Sequence, residues 1–358
     1  MHEAVRGLIA GDGPVTVPMW HALWDSLADE ASAAVGRDAV ALLEAMRERP
    51  PDHDTAGALV QSLAERRPHP PPQEAVNIVG SGGGPSTFNL STLAALVAAA
   101  VGVRVVKSGS RGYTSRYGSI DALKLLGVPL AGSDAEVADA LERFGIAFAG
   151  PFVHPPELAR LARQIFPRDW RELATFINAL GPFLAAVPAT SQVTGVADHR
   201  LLALYEHLAA NHLGRRLWMC FNGAGIDELV SFEQNIVQRD DGTRLRLDPS
   251  RLGAARGSVA DLRPAADAEG VVRQFTALLA GEGPAAAIDS ICLNAACMVV
   301  ASDATATWKQ AFDEARDAVG GGAALTLLER LRREGAARPP AVRARRPPAT
   351  VPAGAPYG

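Results

Sequence analysis

The chain has 358 residues, of which 48% are hydrophobic and 21% charged, values typical of a soluble globular protein with one large domain or two smaller ones. A formal net charge of −4 provides no positive field over the whole chain, which argues against general nucleic-acid binding. Three cysteines without metal-ligand spacing exclude a disulfide framework, and no signal peptide or membrane-length apolar run is evident, so we expect a cytoplasmic protein without a membrane anchor.

The first part of the sequence is predicted to be helical. Apolar residues recur at three- and four-residue spacing in 21–34, 37–49 and 55–66, which is the periodicity of amphipathic helices. The segment 67–73, RPHPPPQ, is rich in proline, which cannot continue a helix. We therefore expect a helical domain over residues 1–66 that ends at a linker.

A strand, a glycine loop, a helix and a second strand follow in direct succession. The apolar run 75–79 ends in the loop 80–84, which contains four glycines, and an alanine-rich helix is predicted over 93–101. The second strand, 103–106, leads into Lys107, which we expect to be a mobile cation. Glycine amides and a helix N-terminus both favour anions, so this unit predicts an anion-binding site. The loop has neither the P-loop ending nor the GxGxxG spacing of nucleotide-binding motifs, and by itself a purely structural turn remains the alternative.

Helices and strands alternate through the rest of the chain, which favours an α/β fold with a mainly parallel sheet. From Glu334 onward the sequence is rich in proline and arginine and has almost nothing to bury, so residues 334–358 are expected to be disordered. The further predicted helices cover 134–144, 155–165, 170–180, 201–213, 267–280, 284–301, 307–319 and 323–332, and the further predicted strands cover 146–149 and 216–221.

Four motifs around the glycine loop resemble the anthranilate phosphoribosyltransferase family in order and spacing, and the resemblance extends over residues 1–332. The family's GTGGD, NxST, KHGNR and GSxDxL motifs correspond to Gly80-Ser81-Gly82-Gly83-Gly84, Asn89-Leu90-Ser91-Thr92, Lys107-Ser108-Gly109-Ser110-Arg111 and Gly118-Ser119-Ile120-Asp121-Ala122-Leu123.

The resemblance implies a small helical domain plus a larger α/β domain with a central, mainly parallel sheet flanked by helices. The helical domain would comprise 1–66 with a return at about 155–195, and the α/β domain 74–154 and 196–333. It also implies a homodimer through the helical domain.

The function implied by the resemblance is transfer of a phosphoribosyl group from phosphoribosyl pyrophosphate through an oxocarbenium-like transition state. The protein would mainly stabilise charge on the leaving pyrophosphate and hold the acceptor in line. The residues implied to bind phosphoribosyl pyrophosphate are Gly80, Ser81, Gly82, Gly83, Thr87, Asn89, Ser91, Thr92, Lys107 and Ser119.

Adjacent acids, Asp227 and Glu228, follow the predicted strand 216–221 in a glycine-flanked turn. Two neighbouring carboxylates can bind one Mg²⁺ ion, and phosphate oxygens can complete its coordination shell. Such pairs are common and alone are more often solvated turns. The pair resembles the family's GxDE metal motif, which implies a magnesium site at Asp227 and Glu228 with Ser91 as a further ligand.

Five residues are implied to contact the acceptor. His154 resembles the family's hinge histidine, although a single loop histidine is more often structural than chemical. Arg168, ten residues before Asn178, has the spacing of the family's carboxylate-binding arginine, and Arg163 is the alternative. The others are Ser108, Gly109 and Ser110 of the KHGN-like segment.

Several motif positions differ from the family, and most of them lie on the acceptor side. Gly84 replaces the loop aspartate, Ser108 and Ser110 replace the histidine and asparagine of KHGN, Asn222 replaces a histidine, and Ala174 replaces an arginine. We therefore expect an aromatic or heteroaromatic acceptor other than anthranilate, in specialised metabolism.

Two other functions stay open at this point. A pyrimidine nucleoside phosphorylase-like enzyme would share the fold and a Lys-x-x-Gly-Arg-Gly segment resembling 107–112. A non-catalytic nucleic-acid-binding relative would use the arginine-rich tail. The negative net charge of the chain argues against this function.

Overall fold

A computed structural model describes most of the chain. The proposed acceptor residue Ser110 and the part of the tail from 338 onward lie outside the described residues. The described residues are 1–11, 13–29, 32–68, 71–109, 117–212, 214–303 and 305–337.

A seven-stranded sheet forms the centre of the α/β part, in the order β3-β2-β1-β4-β5-β6-β7. β1 to β5 pair in parallel, and β6 and β7 add antiparallel at one edge. The prediction of a mainly parallel sheet flanked by helices is therefore confirmed. The strands are β1 Gln73–Gly80, β2 Val105–Lys107, β3 Ile146–Phe148, β4 Ala189–Gly195, β5 Arg216–Asn222, β6 Asn235–Gln238 and β7 Arg244–Leu247.

The central strand β4 is absent from the sequence-based prediction, and it corrects the domain boundary at 195. β4 lies between β1 and β5, so residues 189–195 belong to the sheet and not to the helical return at 155–195. Its sequence, ATSQVTG, has no apolar run that would predict a buried strand. Its polar side chains can be buried because tertiary hydrogen bonds satisfy them. Gln192 is fully buried, accepts from Asn77 Nδ2 at 2.9 Å, and donates to Thr194 Oγ1 at 2.9 Å. The β6–β7 hairpin is likewise absent from the prediction.

Helices cover both faces of the sheet and build the N-terminal part of the chain. The helices of the described residues are α1 Glu3–Ala10, α2 Val17–Ser26, α3 Ala33–Glu48, α4 His53–Glu65, α5 Leu90–Ala100, α6 Ser119–Leu125, α7 Asp134–Phe144, α8 Pro156–Gln164, α9 Trp170–Leu173, α10 Thr175–Ala179, α11 Gly181–Leu184, α12 Leu202–His212, α13 Ala268–Leu279, α14 Ala285–Ser302, α15 Trp308–Gly320 and α16 Ala323–Ala337.

The last helix is longer than the sequence predicts. α16 continues to Ala337, past the boundary predicted at 334. Glu334 pairs with Arg143 of α7 at 2.5 Å, which ties this end of the helix to the rest of the protein. Residues 334–337 are therefore helical, and the prediction of disorder is wrong for them.

Two large hydrophobic cores organise most of the described elements, and a smaller cluster packs α7 against β1, β2 and β3. One lies among α1 to α4 and α8 to α12 and reaches one face of β5, where Leu217 and Met219 contribute to it. The other packs α5, α6 and α13 to α16 against the opposite face of the sheet. Contrary to the sequence-based expectation, α14 has the length and apolar composition of a membrane span, but 83% of it is buried inside the protein. It contacts α5, α15, β1 and β4, as a core helix does.

The linker after α4 and the segments before α8 and after α11 lie close together, where the helical part of the chain meets the α/β part. The Arg67 guanidinium lies among them and donates from Nη1 to Val153 O at 2.5 Å and from Nη2 to Leu184 O at 2.8 Å. Arg66 beside it pairs with Asp25 and Glu157. These contacts join the linker after α4 to the segments before α8 and after α11, and so place His154 where the two parts meet.

Candidate active site

The carboxyl ends of β1, β2, β4 and β5 meet at one edge of the sheet, which is where ligands bind in open parallel sheets. The glycine loop follows β1, Lys107 ends β2, and the turn that carries Asp227 and Glu228 follows β5. Residues far apart in the sequence are therefore brought together by the strand order.

Asp227 packs directly against the glycine loop. The main-chain N–H of Gly82 donates to Asp227 Oδ2 at 2.8 Å. A Cβ added at Gly80 would lie 2.0 Å from the same oxygen, and one at Gly195 would lie 1.6 Å from Asp227 O. Glycine is required at both positions because the Asp227 residue fills the space that a side chain would need. Gly83, at φ +88°, adopts the left-handed conformation that the loop needs to turn.

Glu228 lies at the N-terminus of α5. Its carboxylate accepts from the main-chain N–H of Ser91, and its Oε2 accepts from Thr87 Oγ1 at 3.3 Å. Burial, reinforced by the charge of Asp227, raises the pKa of Glu228 to about 8. Burial also raises the pKa of Asp227. The site thus holds two carboxyl groups that are costly to ionise together.

Lys107 is the cation that faces these acids. Only 4% of its surface is exposed, and Nζ donates to Ile78 O at 3.0 Å and to Ser108 O at 3.3 Å. Burial lowers the pKa of Lys107 to about 8, against the opposing effect of Glu228 and Asp227. The expectation of a mobile cation is therefore wrong, because main-chain carbonyls hold the ammonium group in place.

The acid pair suits a hard divalent cation. Two carboxylates whose pKa values are raised would be stabilised by a cation that prefers oxygen ligands. No group of three or more His, Cys, Asp or Glu side chains that could hold a metal occurs in the described part of the chain. The protein would therefore supply these two carboxylates and leave the remaining ligand positions to a bound anion, while Ser91, whose main-chain N–H bonds Glu228, stays the predicted further ligand.

The other residues implied to bind the donor differ in which protein groups their side chains already contact. The Ser81 hydroxyl accepts from Ala197 N at 3.0 Å and holds the loop together. The Thr92 hydroxyl is fully buried, and Oγ1 has no hydrogen-bond partner among the described residues. The backbone of Asn89 adopts the left-handed conformation, at φ 38°, and its side-chain Nδ2 donates to Tyr117 O. Ser119 Oγ lies against Gly109, where a Cβ would be 2.0 Å away.

Three of the residues implied to contact the acceptor lie together, and Arg168 does not join them. His154 Nε2 is 3.2 Å from Gly109 O, and burial lowers the pKa of His154 to about 4, so the neutral ring donates to that carbonyl. The Ser108 hydroxyl bonds Asn77 Oδ1 at 3.2 Å. Arg168 is exposed, and its guanidinium makes no hydrogen bond or ion pair with any residue that the structure describes.

Buried amide side chains near the site are not among the residues predicted from the sequence. Asn294 of α14 accepts from Leu229 N at 3.1 Å and donates to Leu229 O at 2.7 Å, directly after the acid pair. Asn77 accepts from Ser108 N at 3.1 Å, which ties the residue after Lys107 to β1. The available signal was a polar residue within an apolar helix or strand, because such residues are kept only where hydrogen bonds satisfy them.

Comparison with known proteins agrees with this geometry. Residues 72–325 match the family model described as the glycosyl transferase family, a/b domain. The anthranilate phosphoribosyltransferase of Desulfotalea psychrophila is 35% identical over 261 residues, which cover 72% of this chain and 74% of that protein. The chain belongs to the anthranilate phosphoribosyltransferase family. The relative from Thermus thermophilus is 32% identical over 332 residues, covering 92% of this chain and 98% of that protein.

Solved structures of anthranilate phosphoribosyltransferases share the fold over nearly the whole chain. The crystal structure from Thermus thermophilus has a TM-score of 0.75 at 30% identity and covers 94% of this chain and 100% of that one. The Saccharomyces cerevisiae protein in complex with PRPP and Mg has a TM-score of 0.81 at 20% identity, covering 94% and 97%, and this likeness shows the fold alone. The family and the enzyme class predicted from the motifs are confirmed.

Gly84 departs from the family's loop aspartate for a reason visible in the packing. A Cβ at Gly84 would lie 2.2 Å from Gly225 O and 3.1 Å from Ala197 Cβ. The turn that leads to the acid pair therefore approaches the loop more closely than a side chain at position 84 would allow.

We expect Gly84→Asp, which introduces the family residue, to destabilise the protein by about 1–3 kcal/mol through overpacking. Denaturant unfolding measures this change. Gly223→Asp is the matched control, because a Cβ at Gly223 meets nothing within 4 Å, and it should cost less. Equal stability of Gly84→Asp and the wild type would contradict the packing argument.

Proposed function

We propose that this protein transfers the phosphoribosyl group of phosphoribosyl pyrophosphate, with Mg²⁺, to an aromatic or heteroaromatic carboxylate other than anthranilate. The observation that carries the proposal is the convergence of the glycine loop, the α5 N-terminus, Lys107 and the acid pair at one edge of the sheet. Membership of the anthranilate phosphoribosyltransferase family supports the choice of donor, and the Saccharomyces cerevisiae protein of the same fold was solved with PRPP and Mg.

The proposed mechanism follows from the protein groups that would surround a bound diphosphate. Lys107 and the loop amides would stabilise negative charge on the leaving diphosphate as the bond to C1 breaks. Magnesium, held by Asp227 and Glu228, would supply positive charge to the diphosphate oxygens. The acceptor would attack C1 from the side of Gly109 and His154, where the two parts of the chain meet. The residues act by holding both partners in line, so the mechanism assigns no general base.

The acceptor proposal rests on how the corresponding side chains are used. The Ser108 hydroxyl is bonded to Asn77 and is shorter than the family histidine, so it leaves a differently shaped surface beside Gly109. Arg168 is exposed, and its guanidinium has no hydrogen bond or ion pair to the described residues, so it stays the proposed partner of the acceptor's carboxylate. Specialised metabolism belongs to the proposal because of the acceptor-side departures, a homodimer because of the family resemblance, and a cytoplasmic location as the expectation from the sequence.

Calorimetric titration with phosphoribosyl pyrophosphate tests the donor assignment. We expect saturable binding with Mg²⁺ and none with a chelator, and a ligand at 100 times its dissociation constant should add about 2.7 kcal/mol of stability. Release of pyrophosphate should then occur with an aromatic carboxylate from an acceptor panel and not with anthranilate. Absence of both heat and thermal shift would remove the donor assignment, and turnover of anthranilate would remove only the acceptor proposal.

A further inference from the structure

We propose that Asn222 is a positioning residue that sets the geometry of Asp227 and Glu228 for cation binding, an inference that rests on the proposed function. Asn222 is the last residue of β5, and 2% of its surface is exposed. It stands where the family has a histidine, and it contacts neither carboxylate directly.

The Asn222 amide is hydrogen-bonded entirely within the turn that carries the two acids. Its Oδ1 accepts from Ala224 N at 3.1 Å and from Ile226 N at 3.3 Å. Its Nδ2 donates to Ile226 O at 3.1 Å and to Glu228 O at 2.9 Å. An amide has two acceptor and two donor positions, and all four are used here.

The turn needs this support because it carries acids on adjacent residues, whose like charges repel each other. Glu228 is buried, and Asp227 is half-buried. Residues 223–226 include Gly225, at φ +67°, and Gly223, which has open space around it. A side chain that binds the start, middle and end of the turn therefore fixes the position from which both carboxylates project. Such preorganisation raises affinity, because less order is lost on binding.

Asn235 provides a matched comparison. It is fully buried, pairs with Asn222 across β5 and β6, and also binds main-chain groups through its amide. Its Oδ1 accepts from Val230 N at 3.0 Å, and its Nδ2 donates to Val230 O and Glu233 O. It therefore holds the next turn, and replacing it removes a similar set of buried hydrogen bonds without touching the turn of Asp227 and Glu228.

The experiment compares Asn222→Ala with Asn235→Ala in the full-length protein, by Mn²⁺ titration followed by electron paramagnetic resonance, with and without phosphoribosyl pyrophosphate. Partners that orient metal ligands typically contribute about 10–100-fold to metal affinity, and we expect a loss of that size for Asn222→Ala. For Asn235→Ala we expect less than about a threefold change on the same scale. Saturating Mn²⁺ should restore donor binding to Asn222→Ala.

The outcomes separate this inference from the proposed function. Equal losses in the two variants, or no loss in Asn222→Ala, would overturn the role of Asn222 while leaving the donor assignment in place. Mn²⁺ binding without donor binding in the wild type would overturn the proposed function alone. If Asn222→Ala does not fold, Asn222→Ser, which keeps an acceptor but cannot span the turn to Glu228 O, is held to the same criteria.

Discussion

Replacing Asp227 by asparagine is expected to lower turnover by about 10³-fold, the upper range for removing one charge-stabilising group from a preorganised site. Asparagine keeps the shape of the side chain, and its Oδ1 can still accept the Gly82 N–H hydrogen bond. The loop should therefore fold normally, while the negative charge that would hold a cation is lost. Pyrophosphate release at saturating donor, with donor calorimetry in Mg²⁺, measures the effect.

Asp241→Asn is the control for this prediction. Asp241 lies in the turn between β6 and β7, where its carboxylate accepts from Thr243. The variant also removes one negative charge, and it should keep wild-type turnover. Donor binding by Asp227→Asn at wild-type Mg²⁺ concentrations would show that the acid pair is not the cation site.

Lys107→Met is expected to lower turnover by about 10²–10³-fold, because it removes a positive charge that faces the predicted diphosphate position. Methionine has a similar length and suits a buried position, so the sheet around β2 should be retained. Pyrophosphate release and donor calorimetry measure the loss. Lys309→Met is the control, since Lys309 is an exposed lysine that pairs with Asp313 on α15.

The pH dependence gives a second readout of Lys107. Burial lowers its pKa to about 8 in the free protein, and a bound anion favours the protonated form. Donor affinity should therefore be full below a pH of about 8 and decline above it, measured at saturating Mg²⁺ so that Glu228 stays ionised. Lys107→Met should lack this decline. The same decline in wild type and variant would assign it to another group.

The donor side of the site could be predicted from the sequence because its requirements are local. A loop that brings amides to an anion needs glycine, and adjacent acids after a strand form a cation site within a few residues. The strands β1, β2, β3 and β5 could be predicted because each is a short apolar run between turn residues. The family resemblance then placed these pieces in one fold, and the mainly parallel sheet of that fold is confirmed.

The acceptor side and β4 could not be predicted in the same way, because their structure depends on distant residues. The buried Gln192 is satisfied by Asn77, 115 residues away, so its polarity misleads a local reading of ATSQVTG. Spacing to Asn178 singles out Arg168, but spacing cannot show that the side chain is exposed. Ser110 lies outside the described residues, and its role stays a prediction.

By itself, the sequence determined the family and the alternation of helices and strands, and it singled out candidate residues for binding a diphosphate and a cation. Only the tertiary structure decided how those residues are held. It places Asp227 against Gly82, 145 residues earlier, buries Lys107 between main-chain carbonyls, and closes Gly84 against Gly225. The physical reason is that burial and long-range hydrogen bonds, which set pKa values and side-chain freedom, arise only when distant segments pack together.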